Sequence, residues 1–172
     1  MTFDDVYNDI CAQTANSKEK GASFEILMQR FLRADPVQKA RFEEIWLWDD
    51  FPYRHEISGE SGHDVGIDLV ARTIEDKYCA IQCKCYRRGQ QITKKGVDSF
   101  ISASGKSFTV NGKECRFSER LLITTIANWT SHAEAMIEGQ NPQVNHIGLS
   151  ALRNAEVDWY SLYYGKAPAK RT

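Results

Sequence analysis

Three polar residues near the middle of the sequence have the types and the spacing needed for metal-assisted hydrolysis. Asp68 lies in the segment IDLVARTI, and Gln82 and Lys84 lie in the segment KYCAIQCKCY. A carboxylate and an amide oxygen can bind a hard divalent cation, which activates water and neutralises charge on a reacting phosphate. A lysine beside them can orient or help to deprotonate that water. The same pattern also occurs by chance, so the elements that carry these residues must bring them together.

The two segments have the composition of β-strands. They are separated by the turn residues Glu75 and Asp76, which predicts a β-hairpin or meander. Because side chains alternate along a strand, Gln82 and Lys84 share one face and lie about 7 Å apart at their α-carbons. The opposite face consists of isoleucine and cysteines. Antiparallel pairing through the turn brings Asp68 near both residues.

The segments before the hairpin predict helices that pack on it. The sequence indicates helices in FDDVYNDICAQTA and SKEKGASFEILMQRFLRAD, and a third that opens at Asp35 and Pro36 and runs through VQKARFEEIWLW. The second helix has apolar residues at i, i+3, i+4, i+7 and i+8, which form one stripe that must be buried. A short strand, YRHEIS, and the glycine-rich turn GESGHDVG are expected to follow.

The segments after the hairpin alternate between helix and strand. Thr93 can cap a helix in TKKGVDSFISASG, Gly112 marks a turn, and ERLLITT has the character of a buried strand. Ser131 and Glu134 have capping-box spacing at the start of SHAEAMIEGQ, and VNHIGLS predicts a final strand before a short helix. A mixed sheet with helices on both faces buries all of these elements, so we expect an α/β fold.

Composition limits the class of protein further. A chain of 172 residues that is 42% hydrophobic and 26% charged fits one globular domain. Its net charge of -1 gives no global signature of nucleic-acid binding, which must then depend on a local basic patch or a metal site. No apolar run approaches the roughly 20 residues of a membrane span, and no signal segment is recognisable. We therefore expect a cytoplasmic protein with no membrane partner.

The five cysteines are expected to be reduced thiols. Their number is odd and the sequence shows no export signal, which argues against a disulfide framework. Cys79 and Cys83 are about 13 Å apart on a straight strand, which is too far to share one zinc ion. Buried, unreactive thiols are the better interpretation.

The segments GESGHDVGIDLVA and AIQCKCY resemble the PD-(D/E)XK nuclease superfamily, and within it the Mrr-like restriction endonuclease domains. In those domains an aspartate occupies a G-x-D-x-G-I-D-like stretch and the E-x-K tripeptide is often Q-x-K. The matching residues are Asp68 and Gln82-Cys83-Lys84. The order and spacing are similar to those of the N-terminal nuclease domains of single-polypeptide type ISP restriction-modification enzymes. The resemblance covers most of the chain.

The resemblance implies a restriction-endonuclease-like αβββαβ core, with a mixed central sheet flanked by helices, and Mg²⁺- or Mn²⁺-dependent cleavage of double-stranded DNA. It implies a metal site formed by Asp68, Gln82 and the backbone carbonyl of Cys83, with Glu25 and Asp64 as further candidate ligands. Because Gln82 is neutral, metal binding should depend more strongly on the other oxygens. The alternative interpretations are a solvent-exposed helix carboxylate for Glu25 and a cap of the glycine-rich turn for Asp64.

A cluster of cations lies around the turn that connects the second strand of the hairpin to the next helix. It consists of Arg87, Arg88, Lys94 and Lys95. Phosphates are readily held by basic residues at such a turn, which makes the cluster a candidate DNA-binding surface. The alternative is a solvated, charged loop.

We expect a single nuclease domain over residues 1–165, with N-terminal helices to about residue 50 and the catalytic α/β core from about residue 51. Residues 166–172, KAPAKRT, have the composition of a linker, and we expect them to lead into a longer protein with helicase and methyltransferase domains. Two other functions fit the same motif. One is a catalytically inactive DNA-binding module whose motif has decayed to Q-x-K, and the other is a structure-specific nuclease of the junction-resolving kind.

Overall fold

The computed structural model describes residues 1–57 and 66–165 of the chain. The helices in these ranges are α1 (Phe3–Gln13), α2 (Ser17–Ala34), α3 (Pro36–Arg41), α4 (Lys94–Ser104), α5 (Ser131–Glu138), α6 (Leu149–Asn154) and α7 (Trp159–Tyr164). The strands are β1 (Phe42–Leu47), β2 (Leu69–Thr73), β3 (Tyr78–Lys84), β4 (Ser107–Val110), β5 (Lys113–Thr124) and β6 (Val144–Ile147). None of the helices in the described ranges is long and apolar enough to cross a membrane.

The strands of the described ranges form one mixed sheet in the order β1-β2-β3-β5-β4, with β6 also paired to β5. β1, β2 and β3 are antiparallel neighbours, whereas β3 and β6 each run parallel to β5. The carboxyl ends of β3, β5 and β6 therefore meet at the edge of the sheet where β2 begins. The succession α2-β1-β2-β3-α4-β5 is the αβββαβ core that the sequence resemblance implied.

β3, the strand that carries Gln82 and Lys84, is buried on both faces between two layers of helices. Cys79, Ile81 and Cys83 pack in a core with apolar residues of α1, α2 and α7. The alternate residues of β3 face a second core that includes apolar residues of α4. The predicted alternation is confirmed. The face of Gln82 and Lys84 is covered by α4 instead of being open to solvent.

The prediction that the third helix continues to the end of IWLW is wrong beyond Arg41. Asp35 caps α3 through its side chain, but the helix ends after six residues and the chain enters β1. Phe42 and Ile45 are buried, and β1 pairs antiparallel with β2. Pairing in the sheet outweighs the helical tendency of this segment. The central sheet thus begins before the boundary near residue 50 that the sequence suggested.

Three smaller details also differ from the sequence predictions. Residues 53–57, the described part of the segment YRHEIS, contain a short 3-10 turn, Arg54–Glu56, and no strand. β4 was not predicted, because its four residues gain their stability from pairing with the first part of β5. The cap of α5 is Thr130, whose hydroxyl accepts from the backbone nitrogen of Ala133, and not Ser131. The hairpin, the Thr93 cap of α4 and the strands β5 and β6 are confirmed.

Candidate active site

The hairpin of β2 and β3 fixes the Asp68 carboxylate beside the end of β3. Leu69 pairs with Ile81, and the backbone nitrogen of Asp68 donates to the Ile81 carbonyl at 2.9 Å. The Oδ2 atom of Asp68 accepts a hydrogen bond from the backbone nitrogen of Cys83 at 2.8 Å. Asp68 therefore contacts the Q-x-K tripeptide, as expected, through the backbone of Cys83, the central residue of the tripeptide.

Gln82 contributes an amide oxygen that lacks a partner. Its side chain is only 5% exposed, and its Nε2 atom donates to the carbonyl of Gly66 at 3.1 Å. Its Oε1 atom is buried and accepts no hydrogen bond from the described residues. A buried polar atom without a partner is costly, so a ligand at this position would stabilise the site. An amide oxygen next to a carboxylate fits a hard divalent cation.

Gly66 determines how closely the residues before Asp68 approach α4. Its φ of +89° is accessible to glycine without strain. A Cβ atom at this position would lie 2.8 Å from the Ser99 Oγ atom and 3.1 Å from the Phe100 backbone nitrogen. Glycine is therefore needed twice, for the backbone conformation and for the contact with α4. The glycine-rich composition of this turn was recognised in the sequence, but this contact was not.

Lys84 is half-buried at the end of β3, two residues after Gln82 on the same face. Its Nζ atom lies near the first turn of α4, at 3.9 Å from the position of a Cβ atom on Gly96. The ammonium makes no ion pair or hydrogen bond with any residue of the described ranges. An ammonium in this state can interact with an anionic substrate without first breaking an internal contact.

An acidic cleft of about 530 Å³ opens between α2 and the start of β2. Its lining includes Glu25 from α2, Asp68, and the neighbouring residues Asp49 and Asp50. Burial, together with the negative charges of Asp68 and Glu25, raises the pKa of the Cys83 thiol. Glu25 and Asp68 line the same cleft, and a role for Glu25 as a metal ligand stays a prediction. Asp49 and Asp50 were missed, because the sequence placed them at the end of a helix.

Among the described residues, no group of three or more acidic, histidine or cysteine side chains could hold a metal ion. A metal at this site would therefore also need backbone or amide oxygens. The backbone nitrogen of Cys83 points toward Asp68. In a β-strand, the backbone nitrogen and carbonyl of the same residue point to the same side of the strand. The Cys83 carbonyl thus faces the edge where the Asp68 carboxylate lies. Asp64, the other candidate ligand, lies outside the described residues.

The candidate DNA-binding cations are not equivalent in the structure. Arg87 is exposed, and Lys94 and Lys95 are exposed in the first turn of α4. Arg88 instead contacts α1, with its guanidinium 2.6 Å from an Asp4 oxygen and 5.0 Å from the centre of the Tyr7 ring. All four side chains are therefore exposed, and Arg88 differs in being oriented by α1.

The cysteines of β3 are buried thiols. Cys79 and Cys83 both face the core with α1 and α2, and burial raises the pKa of each above its usual value. A thiol with a raised pKa forms little of the thiolate that metals and electrophiles require. The interpretation of these residues as unreactive core thiols agrees with their environment.

The mixed sheet with its flanking helices has the restriction-endonuclease-like fold, and the sequence motif just before β2 and on β3 is of the PD-(D/E)XK type. The chain belongs to a restriction endonuclease family of the Mrr type, whose pattern matches residues 33–169. No curated protein sequence matches the chain.

Two solved structures are similar to this fold. The first is the ATP-dependent type ISP restriction-modification enzyme LlaBIII bound to DNA, with a TM-score of 0.68 and 28% identity over 93% of this chain. The second is the MspJI restriction endonuclease in complex with a 27-mer oligonucleotide, with a TM-score of 0.53 and 16% identity over 95% of this chain. The chain spans only 9% of the LlaBIII chain and 34% of the MspJI chain.

Proposed function

We propose that the chain is a Mg²⁺-dependent DNA endonuclease module of a restriction-modification enzyme, with Asp68, Gln82 and Lys84 at its catalytic centre. One observation carries this proposal. The Asp68 carboxylate accepts from the Cys83 backbone nitrogen at 2.8 Å, and Gln82, the residue before Cys83 on β3, has a buried Oε1 atom without a partner in the described part of the chain. Such an arrangement of oxygens, with a lysine two residues further along the strand, is suited to phosphodiester hydrolysis.

The metal site would be formed by Asp68, the Gln82 amide oxygen and the Cys83 carbonyl, with Glu25 or Asp64 as a further carboxylate. Mg²⁺ or Mn²⁺ bound there would polarise the phosphate and lower the pKa of a bound water. Because Gln82 contributes no charge, Asp68 provides most of the electrostatic attraction. Its hydrogen bond from the Cys83 backbone fixes the carboxylate before a metal binds.

Lys84 would act on the water and on the charge that develops at the phosphate. Its ammonium is free of ion pairs among the described residues, and it stands on the same face of β3 as Gln82. A cation placed there stabilises negative charge more strongly in the transition state than in the ground state. Lys84 therefore contributes to the rate of cleavage more than to the binding of DNA.

Double-stranded DNA would be bound through its phosphates by the cations around the start of α4. Arg87, Lys94 and Lys95 are exposed there, while Arg88 is oriented by Asp4. Contacts of this kind release condensed counterions, so the affinity should fall steeply with salt. Alanine at all four positions should weaken binding to every sequence and reduce the salt dependence. An unchanged affinity would place the DNA surface elsewhere.

Target choice and ATP use would belong to other parts of a longer enzyme. The similarity to the LlaBIII structure covers only 9% of that chain, which is an ATP-dependent type ISP restriction-modification enzyme. The sequence resemblance to type ISP enzymes suggests covalently linked helicase and methyltransferase domains as partners. Cleavage by this domain would then be directed by where the rest of the enzyme places it on DNA.

The experiment that tests this function is cleavage of supercoiled plasmid DNA by the chain with Mg²⁺, with Mn²⁺ and with EDTA. Nicking or linearisation with either metal, abolished by EDTA, is the expected result. Activity that survives the chelator would refute the metal-dependent mechanism. Binding without cleavage would favour an inactive DNA-binding module, and cleavage confined to branched DNA would favour a junction-resolving nuclease.

A further inference from the structure

The backbone of Tyr86, two residues after Lys84, is fixed by three hydrogen bonds. Its nitrogen donates to the Thr125 hydroxyl at 2.7 Å, and its carbonyl accepts from that hydroxyl at 2.8 Å. The same carbonyl accepts from the Tyr7 hydroxyl at 2.7 Å. β5, through Thr125, and α1, through Tyr7, thus hold Tyr86 from two sides. The position of its side chain relative to β3 is determined accordingly.

The hydroxyl of Tyr86, in contrast, is buried without a hydrogen-bond partner in the described part of the chain. Burial raises the pKa of Tyr86, so the phenol stays protonated at neutral pH and its oxygen can accept a hydrogen bond. Buried polar atoms in folded proteins usually have a hydrogen-bond partner, so the Tyr86 hydroxyl is a candidate acceptor for a nearby donor.

Two other polar groups border this space, the Lys84 ammonium and the Thr93 hydroxyl. The Thr93 hydroxyl lies 3.2 Å from the position of a Cβ atom on Gly96 and already accepts from the Gly96 backbone nitrogen, which leaves the ammonium as the donor without a partner in the described ranges. A Cβ atom at Gly96 would lie 3.4 Å from the Tyr86 hydroxyl and 3.9 Å from the Lys84 Nζ atom. Glycine at this position of α4 therefore leaves an opening toward which both groups point. The Lys84 ammonium makes no hydrogen bond or ion pair within the described ranges, so rotation about the side-chain bonds of Lys84 can bring it toward the hydroxyl without breaking such a contact.

We propose that Tyr86 is a positioning residue for Lys84, whose ammonium donates a hydrogen bond to the Tyr86 hydroxyl. This inference rests on the proposed role of Lys84 in cleavage. A lysine side chain has four rotatable carbon bonds, and a fixed acceptor reduces the number of positions that its charge occupies. The hydroxyl would thus hold the ammonium on the side of β3 where Gln82 lies, without touching DNA itself.

The test is Tyr86→Phe, which keeps the ring and removes only the hydroxyl, with Tyr160→Phe on the exposed surface of α7 as the matched control. The single-turnover cleavage rate at saturating Mg²⁺ and plasmid DNA should fall about tenfold, as expected when one hydrogen bond to a charged group is lost. The KM for DNA and the melting temperature should remain at the wild-type values. Tyr160→Phe should change none of these quantities.

Nuclear magnetic resonance of protein labelled with ¹³C-lysine provides a readout that does not depend on activity. The Lys84 signal is assigned by its absence in Lys84→Arg. In wild type the two Hε protons of Lys84 should have distinct chemical shifts, and they should merge in Tyr86→Phe, where the ring current is preserved. Gly96→Ala, which adds a methyl group to the shared space, should also change the Lys84 signals while α4 remains folded.

Lys84 signals that are the same in wild type, Tyr86→Phe and Gly96→Ala would overturn the inference, as would a wild-type cleavage rate for Tyr86→Phe. If wild type itself cuts no DNA, the proposed function fails. In that case the Lys84 signals still decide whether Tyr86 holds the ammonium.

Discussion

Substitutions of Asp68 separate the charge of its carboxylate from its hydrogen bond to the backbone. In Asp68→Ala the Cys83 amide loses the acceptor at 2.8 Å and becomes a partly buried donor without a partner. The cost of such a donor is about 1–3 kcal/mol. In a chain of 172 residues, each kcal/mol lowers the melting temperature by roughly 2–4 °C. The melting temperature of Asp68→Ala should therefore fall by roughly 4–8 °C for a loss of about 2 kcal/mol.

Asp68→Asn keeps an oxygen that can accept from the Cys83 amide, so its melting temperature should stay within about 3 °C of the wild-type value. Both variants lose the charge that would bind the metal, and both should cut plasmid DNA at least on the order of a hundredfold more slowly. The assays are thermal melts by circular dichroism and single-turnover cleavage at saturating Mg²⁺. Asp68→Asn that cuts at the wild-type rate would refute the metal-ligand role, and equal melting temperatures for Asp68→Ala and wild type would refute the structural one.

Three further experiments, with four substitutions, test Gln82, Gly66 and His146. Gln82→Glu replaces the donor to the Gly66 carbonyl by a carboxylate, so without metal it should lower the free energy of unfolding by about 1–3 kcal/mol. Mg²⁺ should raise the melting temperature of this variant more than that of wild type. An equal effect of Mg²⁺ on both proteins would argue against a metal at this oxygen. Gly66→Ala and Gly89→Ala both place an alanine at a positive φ, which costs roughly 1–2 kcal/mol of stability each. Only the alanine at position 66 also meets a backbone atom of Ser99. Urea denaturation should therefore show the larger loss of unfolding free energy for Gly66→Ala. Burial lowers the pKa of His146 from 6.5 to about 4, so the unfolded chain binds the proton more readily, and the stability present above pH 6.5 should be lost progressively toward pH 4. His146→Gln should flatten this pH dependence of unfolding in urea, and an identical pH dependence would assign it to other groups.

The core of the site could be predicted from the sequence because it depends on local periodicity. The period of two in KYCAIQCKCY puts Gln82 and Lys84 on one face, and the turn at Glu75 and Asp76 sets the antiparallel register that carries Asp68 toward them. These features need no knowledge of distant parts of the chain. The sequence also predicted the apolar stripe of α2, from which Glu25 projects into the acidic cleft.

The features that escaped prediction depend on contacts between distant segments. FEEIWL forms a strand because it pairs with β2. The contact between the Glu43 and Arg72 side chains, for example, joins residues 29 positions apart, and the six residues of FEEIWL do not reveal that partner. The contact of Gly66 with α4, and the closeness of Lys84 and Tyr86 to Gly96, could not be predicted because each depends on how two separate elements pack in three dimensions. The pairing of Arg88 with Asp4 spans 84 residues and separates one cation from a cluster that is uniform in the sequence.

The proposed catalytic role of Lys84 at the end of β3 is tested most directly by the single-turnover rate of Lys84→Ala. Because the Lys84 ammonium forms no hydrogen bond or ion pair among the described residues, its removal should leave the fold intact. We expect the melting temperature and the DNA affinity to match those of the exposed control Lys113→Ala, and the cleavage rate at saturating Mg²⁺ to fall on the order of a hundredfold to a thousandfold. A Lys84→Ala protein that is folded, binds DNA and cuts at the wild-type rate would contradict the account.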